Sequence, residues 1–369
     1  MKEKERIEII DLLRGISCLG VLLYHVRVDL WTGWWNIKLN PQNFSSFEKL
    51  TAWISIPTPF MGYAILLFFL ISGFCIHYPN TSSSAQPHWL HYFKRRFWRI
   101  YPTYLVSVFL TASISYYIHI QWDDTTWKIE RVIRVALLSQ NYPPENGQFL
   151  SNPSLWTIPL EIEFYAIYPL AFFLILRLKF TWLIFISLCI SAFTVYLMHL
   201  GFQWVSYTSL LLWPSWLLGA WVAALYRENK ISEINLVVFS FGLIVFLILS
   251  LLSRLENWES WLQYGFWTGF YFILFLLFLR SEKDIYRARK YLIYRALAWL
   301  GQISFSLYLV HFPLFKLFGY LHRDFFGEKP ANFLFSLLYF IPVIFLAWIF
   351  FKFIENPIHI WSKHGNKRK

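Results

Sequence analysis

The chain has 369 residues, of which 57% are hydrophobic and 15% are charged. In soluble globular domains about a quarter of the residues are charged, so this composition excludes such a domain and predicts an integral membrane protein. The formal net charge of +12 is compatible with nucleic-acid binding. However, the basic residues cluster beside the ends of apolar segments, where they set orientation and contact anionic lipid. We therefore expect membrane lipids, and no nucleic acid, as partners.

Apolar segments of about 20 residues are long enough to cross a bilayer as helices. The chain contains about ten of them, so we predict an all-α, polytopic membrane protein in which residues 1–369 form one membrane-embedded domain. The predicted spans are 9–28, 59–78, 100–120, 155–176, 181–199, 204–226, 235–253, 263–280, 296–318 and 332–354.

The distribution of basic residues predicts which side of the membrane each connection faces. With the N-terminus inside, most of the 33 Lys and Arg residues lie on the inner side, beginning with Lys2, Lys4 and Arg6, as the positive-inside rule requires. Both termini are then cytoplasmic, in a multi-pass protein of the cell inner membrane. The first segment resembles a signal peptide, but it contains Asp11 and Arg14 and lacks a small-residue cleavage site, so we expect it to be retained.

The longest outer connection runs from about Gln121 to Pro153 and contains several aromatic residues. It is too short for a separate domain but long enough to form a lid or part of a binding mouth. Its aromatic side chains can stack on sugar faces or simply belong to the interfacial belt.

The first span carries two polar groups that are costly in a bilayer, Arg14 and His25. Eleven residues make about three helical turns, so both side chains share one helix face, about 16 Å apart. Such groups usually face a protein interior or a wet cavity. The alternative is an arginine that reaches the inner headgroups beside an unrelated buried histidine, and the spacing alone leaves both interpretations open.

Two further titratable residues, Glu161 and His311, lie at a similar depth in other spans. At about 1.5 Å per residue across a core of about 30 Å, His25 lies roughly 24 Å from the inner surface, Glu161 roughly 20 Å and His311 roughly 22 Å. We therefore predict that the three groups meet in one catalytic site. His311 can instead satisfy a carbonyl group freed by Pro313.

The surroundings of Glu161 bear on its role. A carboxylate embedded in the membrane indicates function by default, and we expect Pro159 to break the backbone near it. Glu163 should point elsewhere on the helix and be structural. The sequence has no HExxH motif or comparable ligand spacing, so we expect no metal ion.

A basic segment precedes the third span at the inner surface and contains Arg96 and Arg99. These residues are i,i+3 neighbours on a helix and can clamp phosphate groups with bidentate hydrogen bonds. The alternative is ordinary flanking of a span by basic residues.

Taken together and in order, these segments resemble the membrane-bound acyltransferase family three, whose members are O-acyltransferases that modify sugars. The matching motifs are Arg14 with His25, Phe68–Phe74 (FFLISGF), Arg96–Pro102 (RFWRIYP), Trp156–Tyr165 (WTIPLEIEFY), Gly301–Pro313 (GQISFSLYLVHFP) and Phe353–Pro357 (FIENP). The chain departs from the family at Leu66 and Leu67, where many members have an acidic or polar residue. It also stops at Lys369, so we expect no soluble periplasmic domain of the kind fused to some members.

The resemblance implies transfer of an acyl group, most often acetyl, from cytoplasmic acyl-CoA to a hydroxyl of a glycan or lipid-linked saccharide. Acyl-CoA would be a donor substrate, bound through Arg14, Arg96 and Arg99, rather than a tightly bound cofactor. His25 would act as general base or transient acyl carrier. Glu161 or His311 would orient the imidazole or bind the acceptor. Trp156 and Tyr165 are candidates for substrate binding.

A transporter or flippase for a lipid-linked saccharide is the alternative function, with the buried ionisable groups forming a proton relay. It predicts inverted repeats and paired broken helices, and the sequence contains no clear pair. The acceptor, the length of the acyl chain and the oligomeric state stay open at this point.

Overall fold

The computed structural model describes residues 7–81, 87–143, 148–149 and 151–364, and these form helices and connecting segments without a strand. The all-α prediction is therefore confirmed for this part of the chain. Lys2, Lys4 and Arg6, which support the predicted orientation, lie outside the described residues. The cytoplasmic position of both termini stays a prediction.

The helices have lengths from a single turn to a full membrane crossing. They are α1 (Glu8–Asp29), α2 (Trp34–Leu39), α3 (Ser46–Ile54), α4 (Ile65–His77), α5 (Trp89–Trp122), α6 (Ile129–Ala136), α7 (Thr157–Arg177), α8 (Phe180–His199), α9 (Ser209–Arg227), α10 (Leu236–Leu255), α11 (Ser260–Arg280), α12 (Glu282–Tyr286), α13 (Leu292–Gln302), α14 (Ser304–Phe326), α15 (Phe333–Leu337), α16 (Phe340–Phe350) and α17 (Asn356–His364). A π-helical turn, Phe351–Glu355, joins the last two.

Within the described residues, nine helical segments are long and apolar enough to cross a membrane, or ten if α13 and α14 are counted as one broken span. This agrees with the prediction of about ten spans. The difference lies in the ninth span, which was predicted as continuous from 296 to 318. The structure interrupts it at Ile303, whose φ of −95° and ψ of 5° are not helical.

The break creates a new helix N-terminus at α14, and Glu355 accepts a hydrogen bond from one of its first-turn backbone N–H groups. The Glu355 carboxylate accepts a hydrogen bond from the backbone N–H of Ser306 at 3.1 Å and another from the Ser306 hydroxyl. Backbone N–H groups in the first helical turn have no helical partner, and a negative charge there is stabilising. The acidic residue of the closing FIENP motif is thus a cap for the helix that carries His311.

The chain forms two compact units. The first comprises Met1–Cys18, Tyr63–Tyr92 and Pro159–Gln302, and the second Leu19–Gly62, Phe93–Ile158 and Ile303–Lys369. In the first unit, α1 and α13 touch along their backbones at two glycines. A Cβ atom on Gly15 would lie 1.8 Å from the carbonyl oxygen of Leu297, and one on Gly301 would lie 1.8 Å from that of Asp11. Small residues allow such close helix crossings in membranes.

The expected backbone break at Pro159 is wrong. Helix α7 begins at Thr157, so Pro159 lies in its first turn, where the missing N–H would have no helical acceptor in any case. The helix continues without interruption through Glu161.

Candidate functional site

The structure brings His25 and His311 together in the second unit. His25 Nδ1 lies 2.9 Å from His311 Nε2, and the two rings stack with their centroids 5.0 Å apart. His311 is completely buried, whereas His25 is partly exposed. Of the two residues, His25 is therefore the more accessible.

The hydrogen bonds of His311 determine the tautomer of both rings. His311 Nδ1 lies 3.0 Å from the carbonyl oxygen of Leu307 and 2.8 Å from that of Tyr308. Carbonyl oxygens only accept, so His311 Nδ1 carries the proton. A neutral imidazole has one N–H, so with both rings neutral His311 Nε2 accepts and His25 Nδ1 donates. The Nε2 atom of His25 is then left with its lone pair, as a base or nucleophile needs.

His311 does not serve the carbonyl group that Pro313 frees. A proline removes the hydrogen bond to the carbonyl four residues earlier, which belongs to Leu309. That oxygen accepts a hydrogen bond from Asn152 Nδ2 at 2.8 Å. The proline-based alternative for His311 is therefore wrong, and Asn152 performs the task that it assigned to His311.

A glycine allows the two histidine-bearing helices to approach. Gly319 lies two turns beyond His311 on α14, and a Cβ atom there would be 2.6 Å from the carbonyl oxygen of Asp29 at the end of α1. A side chain would have to push these backbones apart. The contact lies about one turn from His25 and two turns from His311, so it helps to fix the distance between the two rings.

Two polar residues near His311, Ser154 and Thr157, come from the connection between α5 and α7 (residues 123–156, hereafter the long connection) and from the start of α7. Ser154 Oγ lies 3.5 Å from His311 Nε2. The hydroxyl of Tyr308, on the helix of His311, donates to the Ser154 carbonyl oxygen at 2.6 Å and lies 2.7 Å from Thr157 Oγ1. The sequence does not indicate the positions of Ser154, Thr157 and Asn152, because Ser, Thr and Asn in or beside a connection are expected to be solvated.

Glu161 lies in the first unit, not in the unit that contains the two histidines. Its carboxylate accepts hydrogen bonds from the Tyr165 hydroxyl and, at 3.4 Å, from the Ser72 hydroxyl. Arg14 interacts electrostatically with Glu161 and Asp11. Within the first unit, Glu161 therefore belongs to a polar cluster with Arg14.

Arg14 and Glu163 also make defined contacts within the first unit. One guanidinium nitrogen of Arg14 lies 3.5 Å from Cys75 Sγ. The Glu163 carboxylate accepts a hydrogen bond of 2.7 Å from the backbone N–H of Ser209, the first residue of α9. Glu163 is thus a cap for a neighbouring helix.

The remaining candidates occupy different settings. Arg96 and Arg99 lie on α5 as predicted, but Arg96 is buried and Arg99 is exposed. Trp156 ends a short 3₁₀ turn before α7, and its carbonyl oxygen accepts from Asn141 Nδ2 at 2.7 Å. Tyr165 is buried, and its hydroxyl donates a hydrogen bond to Glu161. Within its own unit it therefore orients the carboxylate.

Comparison with known proteins bears on the family of the chain. A protein of Staphylococcus aureus strain COL, provisionally named an O-acetyltransferase, is 24% identical over 97% of this chain. The O-acetyltransferase OatA of S. aureus strain NCTC 8325 / PS 47 is 25% identical over 95% of it. The chain covers 58% and 56% of these two relatives, respectively, or little more than half of their length.

No solved structure matches the chain significantly. The model of the acyltransferase family three, described as an acyltransferase domain, matches residues 7–352. This match covers nearly all of the chain and includes both histidines and the Arg14–Glu161 cluster. The chain therefore belongs to this family of membrane acyltransferases.

Proposed function

We propose that this protein transfers an acyl group, most often acetyl, from cytoplasmic acyl-CoA to a hydroxyl of a cell-surface glycan or lipid-linked saccharide. It would do so as a multi-pass protein of the cell inner membrane. The observation that supports this proposal best is the contact between His25 Nδ1 and His311 Nε2 at 2.9 Å, because it leaves His25 Nε2 as the reactive atom. The names of the relatives support the transfer of acetyl groups to oxygen.

Two chemical routes use the same lone pair. As a general base, His25 Nε2 takes the proton of the acceptor hydroxyl while its oxygen attacks the thioester carbonyl. The C–S bond then breaks, and the proton passes to the departing CoA sulfur. As a nucleophile, Nε2 itself attacks the carbonyl, the C–S bond breaks and CoA leaves as the thiolate. In a second step the acceptor hydroxyl oxygen takes the acyl group, the acyl–Nε2 bond breaks, and the hydroxyl proton ends on the CoA sulfur. His311 orients the imidazole in both routes.

Arg14, Arg96 and Arg99 are each proposed as a residue that binds a phosphate group of the donor. Arg14 and His25 share α1, so their separation of about 16 Å is on the order of the length of the pantetheine arm. Asp11 and Glu161 also interact with Arg14 and would compete with a phosphate. Calorimetric titration with CoA tests this assignment. Truncation of Arg14 or Arg99 should cost about 1.5–3 kcal/mol each, and His25→Ala should retain CoA affinity.

The whole proposal is tested by comparing the mass of surface glycans in a deletion strain and its parent. We expect the deletion strain to lack one acyl group per modified unit, and a plasmid with the wild-type sequence to restore it. His25→Ala should not restore it, whereas His199→Ala, which alters an exposed histidine at the end of α8, should. An unchanged glycan mass with reduced glycan export would support the transporter instead.

A further inference from the structure

The second unit contains a buried ion pair that the proposed mechanism does not use. Lys316 Nζ lies 3.1 Å from Asp124 Oδ2, and the two side chains are only 8% and 9% exposed. Lys316 lies on α14, five residues after His311, and Asp124 lies at the start of the long connection. Burying two charges is expensive and is compensated only by good geometry and further hydrogen bonds.

The pair has those hydrogen bonds. Lys316 Nζ donates to Thr126 Oγ1 at 2.7 Å and to Ser151 Oγ at 3.4 Å. Asp124 accepts from the Tyr320 hydroxyl at 2.6 Å and from the backbone N–H of Thr126 at 2.8 Å. Burial raises the pKa of Asp124, but hydrogen bonds from Thr126, Tyr320 and Lys316 outweigh it and hold that pKa well below its usual range. The Asp124 carboxylate is therefore charged at neutral pH.

The same connection follows α14 from this ion pair back to His311. Ser151 is held by Lys316. The next residue, Asn152, donates to the Leu309 carbonyl oxygen at 2.8 Å. Ser154 approaches His311 Nε2 and accepts the Tyr308 hydroxyl proton through its carbonyl oxygen. Successive residues of the connection are thus fixed to α14 at positions from 308 to 316.

We propose that Asp124 and Lys316 form a latch, a pair of positioning residues that hold residues 124–126 and 151–154 of the long connection on α14 and thereby fix the ring of His311. This inference rests on the proposed function. The latch contacts neither reacting atom, so its loss should change the rate of the chemical step and not the binding of the donor. Small misplacements of a catalytic group lower rates by up to about 100-fold.

The test separates positioning from simple stabilisation. The single variant Asp124→Asn leaves the buried Lys316 without its counter-charge, which can also impair folding. The double variant Asp124→Leu with Lys316→Met removes both charges, and apolar replacement of a buried pair is often neutral or stabilising. It also removes the directional hydrogen bonds to Thr126, Ser151 and Tyr320. The matched control alters two exposed charges of the same connection, Asp123→Asn with Lys128→Gln.

Each purified protein is assayed in nanodiscs for transfer of labelled acetyl from acetyl-CoA to surface glycan from the deletion strain, and its melting temperature is measured. We expect the double variant to melt within a few degrees of the wild type. Its kcat should fall about tenfold to 100-fold with an unchanged KM for acetyl-CoA, while the control behaves as the wild type.

Wild-type kcat in the double variant would overturn the latch, because a folded protein without the ion pair would then be fully active. Loss of folding in both the single and the double variant would also overturn it, since the pair would be a requirement for stability alone. If the wild-type protein itself transfers no acetyl group, the proposed function fails and not the latch in particular.

Discussion

Replacing His311 by phenylalanine tests the tautomer argument directly. The ring keeps its shape and its contacts with neighbouring aromatic residues, but the Nε2 atom that accepts from His25 Nδ1 at 2.9 Å is lost. A neutral hydrogen bond contributes about 0.5–1.5 kcal/mol net, and one to a charged group about 1.5–3 kcal/mol. His25 becomes cationic in the transition state, so the difference between these two contributions, about 1–1.5 kcal/mol, is added to the barrier. We therefore expect kcat of His311→Phe to fall roughly fivefold to 13-fold.

The assay is acetyl transfer by purified protein in nanodiscs at saturating acetyl-CoA, with KM for acetyl-CoA expected to be unchanged. The matched control is His322→Phe, because His322 is also buried on α14 but its Nδ1 atom lies 2.7 Å from the hydroxyl of Tyr339. The control should lose stability without losing kcat. Equal losses of kcat in the two variants, or a fall of less than about twofold in His311→Phe, would refute the assigned role of His311.

Three further predictions concern groups around the site. Gly319→Ala places a Cβ atom 2.6 Å from a carbonyl oxygen of α1, so it should lower both kcat and melting temperature, whereas Gly265→Ala, with nothing within 4 Å, should lower neither. Glu161→Gln should reduce turnover far more than melting temperature. If Glu161→Gln has wild-type turnover and Glu163→Gln is inactive, the functional carboxylate is Glu163 instead. Burial raises the pKa of Asp124, but the hydrogen bonds lower this pKa by a larger amount, so the net shift is a decrease. Its stabilisation is therefore full above the unfolded pKa of about 3.9 and lost as pH falls through the lower folded value. The gap in melting temperature between wild type and Asp124→Asn should be constant from about pH 8 to about pH 5 and narrow below about pH 4.

The membrane helices could be predicted because the bilayer itself dictates them. A segment that crosses about 30 Å of hydrocarbon must be apolar over about 20 residues and must satisfy its backbone internally. The break at Ile303 could not be predicted in this way, because the segment from 301 to 306 contains no proline. The new helix end is capped by Glu355, which lies 49 residues after Ser306 along the chain.

His25 and His311 lie close together as predicted, although the ninth span is not continuous as the prediction assumes. The depth of His311 was counted along a continuous ninth span, and the structure interrupts that span at Ile303. The pairing with His25 is present nonetheless, because the close crossing of α1 and α14 at Gly319 brings the rings together. Glu161, which was assigned the same depth, lies in the first unit.

Lys316 shows why the polar surroundings of the site were missed. In the sequence it resembles any basic residue toward the end of a span, and the positive-inside rule gives it no special meaning. Its buried position depends on Asp124, Thr126 and Ser151, which are at least 165 residues away along the chain. Contacts of this kind follow from tertiary packing and have no signature in local composition.

The orientation of His25 by a neutral group has a mechanistic consequence within the proposed reaction. In a hydrolytic triad, a buried carboxylate holds the histidine and stabilises its cationic form. Here the chain of hydrogen bonds runs from His25 through His311 to the carbonyl oxygens of Leu307 and Tyr308 and contains no negative charge. Along this chain, a proton or acyl group on His25 is therefore stabilised by dipoles and not by a counter-charge. Such a site favours rapid transfer onward, to the departing CoA sulfur or to the acceptor hydroxyl, over accumulation of the charged intermediate.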